Sequence, residues 1–354
     1  MIKINFTDAI KFAHLKNLGM SKKNIVLGLG MTYPNEGLSE KFKDQVFDTP
    51  VSEMSTTGMA VGLASQGFRP CIVHGRVEFA MLAFDQIFTH ASRWNYMFGG
   101  NYKCPVTFRI AIGRQWGNGP QHTASYHSIF LQSPGMYVFI PSTPFEAYEY
   151  LVYSSSCDEP SVFLEHRWLY KTFEYLDLKK INSNKLLLAT LYESKIKKKK
   201  KYLIITYADG LIESLKAYQY LKERVDINVL NISGFNFNNR NYYKIINLIL
   251  KYDEIILFDT SPYEFGLLSG LVGFLGLSSN KIIKIKKFSP PFTPCPTSPS
   301  LTKNYYVNYR KIIEYIQKKE KFNIIMKKAS FDELNLWPEF DYTPFKKNKI
   351  YLNL

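Results

Sequence analysis

Short, nearly continuous apolar runs alternate along the first half of the chain with longer stretches whose apolar residues recur every three or four positions. Asn24–Gly28, Gln45–Asp48, Pro70–His74, Val106–Ile110, Met136–Ile140 and Val162–Glu165 are of strand length and rich in Val, Ile and Phe, which predicts buried strands. Between them, Thr57–Gln66 reads as a small-residue helix, and Phe79–Trp94 carries Met81, Phe84, Ile87 and Phe88 at helical spacing. Phe145–Ser154 is a further helix, with Pro144 at a tolerated first-turn position. The second half repeats the alternation: strands at Tyr202–Tyr207, Ile227–Asn231 and Glu254–Asp259, helices at Leu211–Lys222, Tyr242–Lys251, Phe265–Leu277 and Asn308–Lys321. Such alternation requires parallel sheets, so the expected fold class is α/β with two doubly wound domains. The expected division is 1–178 for the first domain, 179–201 for a basic linker, 202–324 for the second domain and 325–354 for a tail without periodicity.

At 354 residues the chain is too long for one ordinary core and suits two. Its 46% hydrophobic and 16% aromatic content is enough to fill both. No apolar run reaches the ~18 residues of a membrane-spanning helix, and Met1–Phe6 lacks a signal-peptide core, so the expected location is the cytoplasm. The four cysteines, Cys71, Cys104, Cys157 and Cys295, are far apart, which argues against a zinc site or a disulfide framework. A net charge of +15 raises nucleic acid as a partner, but the lysines gather in Lys195–Lys201, Lys281–Lys287 and the C-terminal stretch without any nucleic-acid-binding motif. No nucleic-acid partner is therefore expected. In a fluorescence-anisotropy titration, affinity for duplex DNA should be weak and gone by ~200 mM salt, because counterions compete away a purely electrostatic contact.

The segment Phe47-Asp48-Thr49-Pro50-Val51-Ser52-Glu53 reads as a strand that ends in an acid and turns into the Thr57–Gln66 helix. A carboxylate at such a junction has its direction fixed by the backbone, and Gly58 and Gly62 leave room for close approach. This arrangement suits proton transfer to a bound ring; the plainer reading is a first-turn acid stabilised by the helix dipole. His14, His90 and His166 are read as structural, and so is His74, although it ends a strand on the same side as Glu53.

Several segments, in order, resemble the beta subunit of the thiamine-diphosphate-dependent 2-oxo acid dehydrogenases. Asp48–Glu53 matches a D-T-P-x-S-E segment, Phe79–Ile87 an aromatic-x-x-x-A-[FI]-D-Q-I segment, and Tyr96–Gly100 and Pro105–Arg109 two further family segments. Gly119-Pro120-Gln121-His122 precedes Pro134-Gly135-Met136-Tyr137-Val138 at the family's spacing, and Ser289–Ser300 resembles the proline-rich segment of a transketolase C-terminal domain. The resemblance implies a transketolase-type pyrimidine-binding domain followed by a transketolase C-terminal-like domain. It also implies roles: Glu53 activates the aminopyrimidine of thiamine diphosphate, Phe79 stacks on it, and His122 is catalytic in the substrate channel. His127 and His74 are secondary candidates for that channel.

The sequence lacks the G-D-G segment and later Asn that hold the magnesium and diphosphate, although Asp209-Gly210 follows a strand. The resemblance therefore implies an alpha subunit that holds Mg2+ and the diphosphate half, in an alpha2-beta2 heterotetramer. The enzyme would act on a small 2-oxo acid and hand its acyl unit to a lipoyl acyltransferase or another acceptor. A structural K+ site stays open, since Cys157-Asp158-Glu159 does not reproduce the family's acidic pattern. Two departures, Gly28-Leu29-Gly30-Met31 for G-E-D-V and Asp259–Gly266 for E-G-G-W-x-x-F-G, keep a transketolase-like carboligase of sugar biosynthesis as an alternative. The other alternative is a non-catalytic basic binding subunit.

Overall fold

The apolar runs become strands that share out two parallel sheets. In chain order they are β1 (Ile2–Asn5), β2 (Asn24–Gly28), β3 (Val46–Asp48), β4 (Arg69–His74), β5 (Thr107–Ile112), β6 (Tyr137–Phe139), β7 (Ser161–His166) and β8 (Phe173–Leu176). The second half adds β9 (Leu187–Tyr192), β10 (Lys201–Thr206), β11 (Asp226–Ile232), β12 (Gly234–Phe235), β13 (Glu254–Phe258), β14 (Lys284–Phe288) and β15 (Lys347–Tyr351). The computed structural model describes residues 1–31, 37–114, 118–181, 185–235, 242–262, 264–278, 282–326 and 337–351. Tyr263, Lys281, positions 182–184 of the expected linker, and 327–336 and 352–354 of the expected tail lie outside them.

The first sheet runs β12-β6-β7-β5-β4-β2-β3, parallel except for β12 at its edge. The second runs β14-β13-β10-β11-β9-β15, parallel through β11 and antiparallel at β9 and β15. β1 and β8 form a small antiparallel pair. The two sheets with their covering helices are the α/β class that the alternation demanded.

The chain crosses between the halves more often than the sequence suggested. Within the stretch read as a linker, Leu187–Tyr192 is buried strand, because Leu187, Leu188, Ala189 and Leu191 find cover between β11 and β15. The tail lies on its own chain: β15 pairs with β9, Phe173 N–H donates to Phe340 O (2.9 Å), and Tyr342 N–H donates to Phe173 O (3.1 Å). Lys347 pairs with Glu174.

The helix Pro144–Ser156 is buried on nearly every side, between the helix Phe6–Met20 and the second half. Thr143 caps it, accepting from Glu146 N (3.2 Å). Glu146 accepts from Ser142 N (2.8 Å) and Asn231 Nδ2 (2.8 Å), and Tyr150 Oη pairs with Ser233 Oγ at 2.7 Å. Burial pushes the Glu146 carboxyl up, opposed by these bonds. Because such groups are costly to bury unpaired, this polar set fixes how the halves meet.

Candidate active site

Of the residues singled out by the sequence, Glu53, His74, Phe79 and His122 lie at or past the carboxyl ends of β3, β4 and β5, where open α/β sheets place ligands. Asp48 ends β3, and Pro50 cannot continue the ladder, having no N–H. Thr49–Ser52 turn the chain, so Glu53 is the first residue of the helix Glu53–Ser65 instead of the end of the strand. Thr56 closes the first turn through its N–H and Oγ1, both 2.9 Å from Ser52 O. The helix dipole favours a carboxylate here. Glu53 is half-buried, and among the described residues its carboxylate makes no hydrogen bond or ion pair. It caps no backbone N–H, so its acceptor capacity is left for something else. A Cβ on Gly62 would meet nothing within 4 Å, and one on Gly58 would meet only Gln86 Cγ at 3.6 Å.

His74 ends β4 with Nε2 3.2 Å from Thr57 Oγ1, tying the strand to the Glu53 helix. Burial lowers its pKa to about 4, so it is neutral and acts as a strut.

Phe79 lies on a helical run from Val77 to Met97 that changes pitch, tight at Met81–Ala83 and Ala91–Arg93 and π-wide over Asp85–His90. The sequence suggested one regular helix there. The run packs against the Glu53 helix. Phe79 is partly exposed, and its ring meets His122 edge-on, centroids 5.5 Å apart at 71°.

His122 closes a turn, Pro120–His122, that follows Gly119 at φ 77°. Its N–H donates to Gly119 O (3.2 Å), as does Thr123 Oγ1 (2.7 Å). Glu78, beside Phe79, accepts from Ala124 N at 2.8 Å and holds the loop to the helical run. His122 Nδ1 is buried and makes no hydrogen bond among the described residues. Phe79 and His122 thus come together, beside a helix that begins with an uncommitted carboxylate.

His127 sits elsewhere. It is fully buried, with Nε2 3.0 Å from Thr260 Oγ1 and its ring perpendicular to Tyr207 at 5.0 Å. Burial, and secondarily His166, lower its pKa to about 3.

Sequence reasoning passed over a buried group nearby. Arg114 lies between the rings of Trp168 (3.8 Å) and Tyr306 (4.3 Å), with Nε 3.3 Å from Asp209 Oδ2. His166 Nε2 is 3.4 Å from Asp209 Oδ1. Burial raises the Asp209 carboxyl while Arg114 opposes it, and burial with the adjacent Arg114 and Arg167 lowers His166. The Asp209 carboxylate thus faces Arg114 and a neutral His166, and its Oδ1 makes no hydrogen bond among the described residues. Asp158, paired with Arg69 at 2.6 Å and with Lys103, and Glu159, which accepts from Asn95 Nδ2 at 2.7 Å, are committed to protein partners. Among the described residues no group of His, Cys, Asp and Glu could hold a metal ion, and no helix is long and apolar enough to cross a membrane.

The surface by Glu53 is greasy. Phe47, Val51, Met54 and Met59 are exposed around the start of its helix, and Met81 and Leu82 on the neighbouring run.

The class follows from the fold: two parallel-sheet halves, with the candidate residues past the strand ends of the first, form a transketolase-like α/β chain. The family model of the transketolase pyrimidine-binding domain matches residues 19–172. A solved structure titled split gene transketolase, inactive beta4 tetramer, superposes with a TM-score of 0.69 at 16% identity, covering 91% of this chain and 99% of that one, which is a likeness of fold. The pyruvate dehydrogenase E1 component subunit beta of Staphylococcus epidermidis is 33% identical over 248 residues, 66% of this chain and 73% of that protein. Its Staphylococcus aureus counterpart is 34% identical over 214 residues, 57% and 62%. The acetoin:2,6-dichlorophenolindophenol oxidoreductase subunit beta of Cupriavidus necator is 37% identical over 142 residues, 40% and 41%. The matched stretch thus spans less than two thirds of the latter two relatives. The chain belongs to the family of pyruvate dehydrogenase E1 beta subunits.

Proposed function

We propose that this chain is the beta half of a thiamine-diphosphate-dependent 2-oxo acid dehydrogenase, and that it supplies the groups that bind and activate the pyrimidine end of the cofactor. The observation that carries the reading is Glu53: a half-buried carboxylate at a helix start, unpaired among the described residues, on a helix that packs against the run carrying Phe79, whose ring meets His122. These groups fit an aminopyrimidine, which needs a proton-sharing carboxylate at a ring nitrogen and an aromatic surface to lie against.

When bound, thiamine diphosphate supplies a carbon nucleophile for the keto carbon and a sink for the electrons released with carbon dioxide. Glu53 holds a proton at the pyrimidine nitrogen and so shifts the proton balance of the adjoining amino group. Phe79 presents its exposed ring, and His122, whose Nδ1 is uncommitted, orients the substrate carboxylate or moves a proton. The apolar surface beside Glu53 is read as the contact with an alpha subunit, in an alpha2-beta2 assembly whose alpha chain holds the diphosphate and Mg2+. The acyl unit then passes to a lipoyl acyltransferase or another acceptor.

Calorimetry tests the division of labour. Titrated with thiamine diphosphate and magnesium, the chain alone is expected to bind weakly, and decarboxylation of a 2-oxo acid to appear only after an alpha subunit is added. Micromolar affinity without a partner would sink the split-site reading.

A further inference from the structure

The loop that carries His122 spans a cavity of about 370 Å3, lined by Pro120, Thr123 and Tyr126 of the loop and by Thr260, Phe292 and Tyr306 of the second half. Gly119 approaches that half, a Cβ there lying 3.0 Å from Thr297 Oγ1, but beside a void packing is thin, so the place of the described part of the loop depends on where its side chains are fastened. On the helical run of its own half the fastenings among the described residues are the Glu78 bond to Ala124 N and the Phe79–His122 ring contact.

Towards the second half, two side-chain anchors among the described residues flank His122, one before and one after it. Before it stands Arg114, clamped between Trp168 and Tyr306 and paired with Asp209. The adjacent Gly113, at φ 83°, donates its N–H to Ala124 O (3.2 Å) and closes the base of the loop. A Cβ on Gly113 would lie 2.1 Å from His166 Nε2, so the backbone there is pressed against the His166–Asp209 pair. After His122 stands His127, bonded to Thr260 and set edge-on to Tyr207. Tyr207 is itself fixed, donating to Asp259 Oδ1 (2.5 Å) and paired with Ser261 Oγ (2.7 Å).

We infer that Arg114 and His127 are positioning residues through which the second half of the chain sets the place of His122. The inference rests on His122 being an active-site group. Neither residue touches the reacting atoms; each acts through the loop backbone.

With only six histidines in the chain, an imidazole-labelled sample gives a resolvable NMR spectrum, and His122→Ala identifies the His122 resonance. Thr260→Val keeps the shape of the side chain and removes the hydroxyl. It is expected to shift that resonance and to lower kcat of the complex reconstituted with its alpha subunit by ~10-fold or more, with little change in KM. His127→Leu should do the same, and His127→Gln, which returns a polar nitrogen near the Nε2 position, should recover much of the rate. Arg114→Lys keeps a charge facing Asp209 but loses the planar stack, and should also move the resonance. An unmoved His122 signal and unchanged kcat in Thr260→Val and Arg114→Lys overturn the inference, whether or not His127→Leu folds. If instead His122→Ala leaves kcat intact, the assignment of His122 falls, while the resonance shifts still decide whether the anchors position the loop.

Discussion

Glu53→Gln will lower 2-oxo acid decarboxylation by the assembled enzyme by at least the ~10²-fold that a general acid–base group typically contributes. The amide keeps the size and reach of the carboxylate but cannot share its proton. Because the Glu53 carboxylate makes no hydrogen bond or ion pair among the described residues, the fold leans on its charge only through the helix dipole, worth under ~1 kcal/mol. Melting temperature and assembly with the partner should therefore barely change. Quenched-flow NMR of thiazolium proton exchange into deuterium, run on the reconstituted complex, reports the affected step without turnover. A variant that exchanges as fast as the wild type would reduce Glu53 to a helix-terminus acid.

The largest loss of stability is expected at Gly135. Its φ of 89° disfavours any side chain, and a Cβ there would lie 1.9 Å from Ser92 O, a backbone atom that no rotamer change can move aside. Left-handed strain and overpacking together should cost Gly135→Ala about 3–5 kcal/mol, a fall in melting temperature of roughly 4–7 °C for a chain of this length. Ser92 lies on the helical run that carries Phe79, so displacement there should reach the active site too. Gly273→Ala is the matched control: the position is helical and a Cβ would meet nothing within 4 Å, so alanine should be neutral or stabilising by up to ~1 kcal/mol. Differential scanning calorimetry of the two variants decides the matter; equal melting temperatures would refute the argument.

What was legible in the sequence follows the range of the interactions involved. The central strands and the second-half helices declare themselves by local periodicity, and the last helix, Tyr309–Glu320, departs from its expected span by one residue at each end. β9 was hidden because lysines and polar residues on both sides dilute a short apolar run, and β15 because Lys347-Asn348-Lys349 carries no hydrophobic pattern at all. The contact between Phe79 and His122 joins residues far apart in the chain, and only the family resemblance put both on one page. The anchors were harder still. Arg114 meets Asp209 and His127 meets Thr260 across the two halves, and nothing in the residues flanking either pair points to the other.

The strap made by residues 340–351 also bears on how the chain is born. Everything it pairs with, β8 and β9 included, leaves the ribosome earlier. Until residue 351 is out of the exit tunnel, β9 keeps one edge of unpaired N–H and C=O groups, a template on which another chain can add a strand. Products that stop short of residue 337, whether from stalled translation or from proteolysis, keep that edge bare. They are the species expected to aggregate or be degraded, so a sealed edge marks a chain whose synthesis has passed the strap.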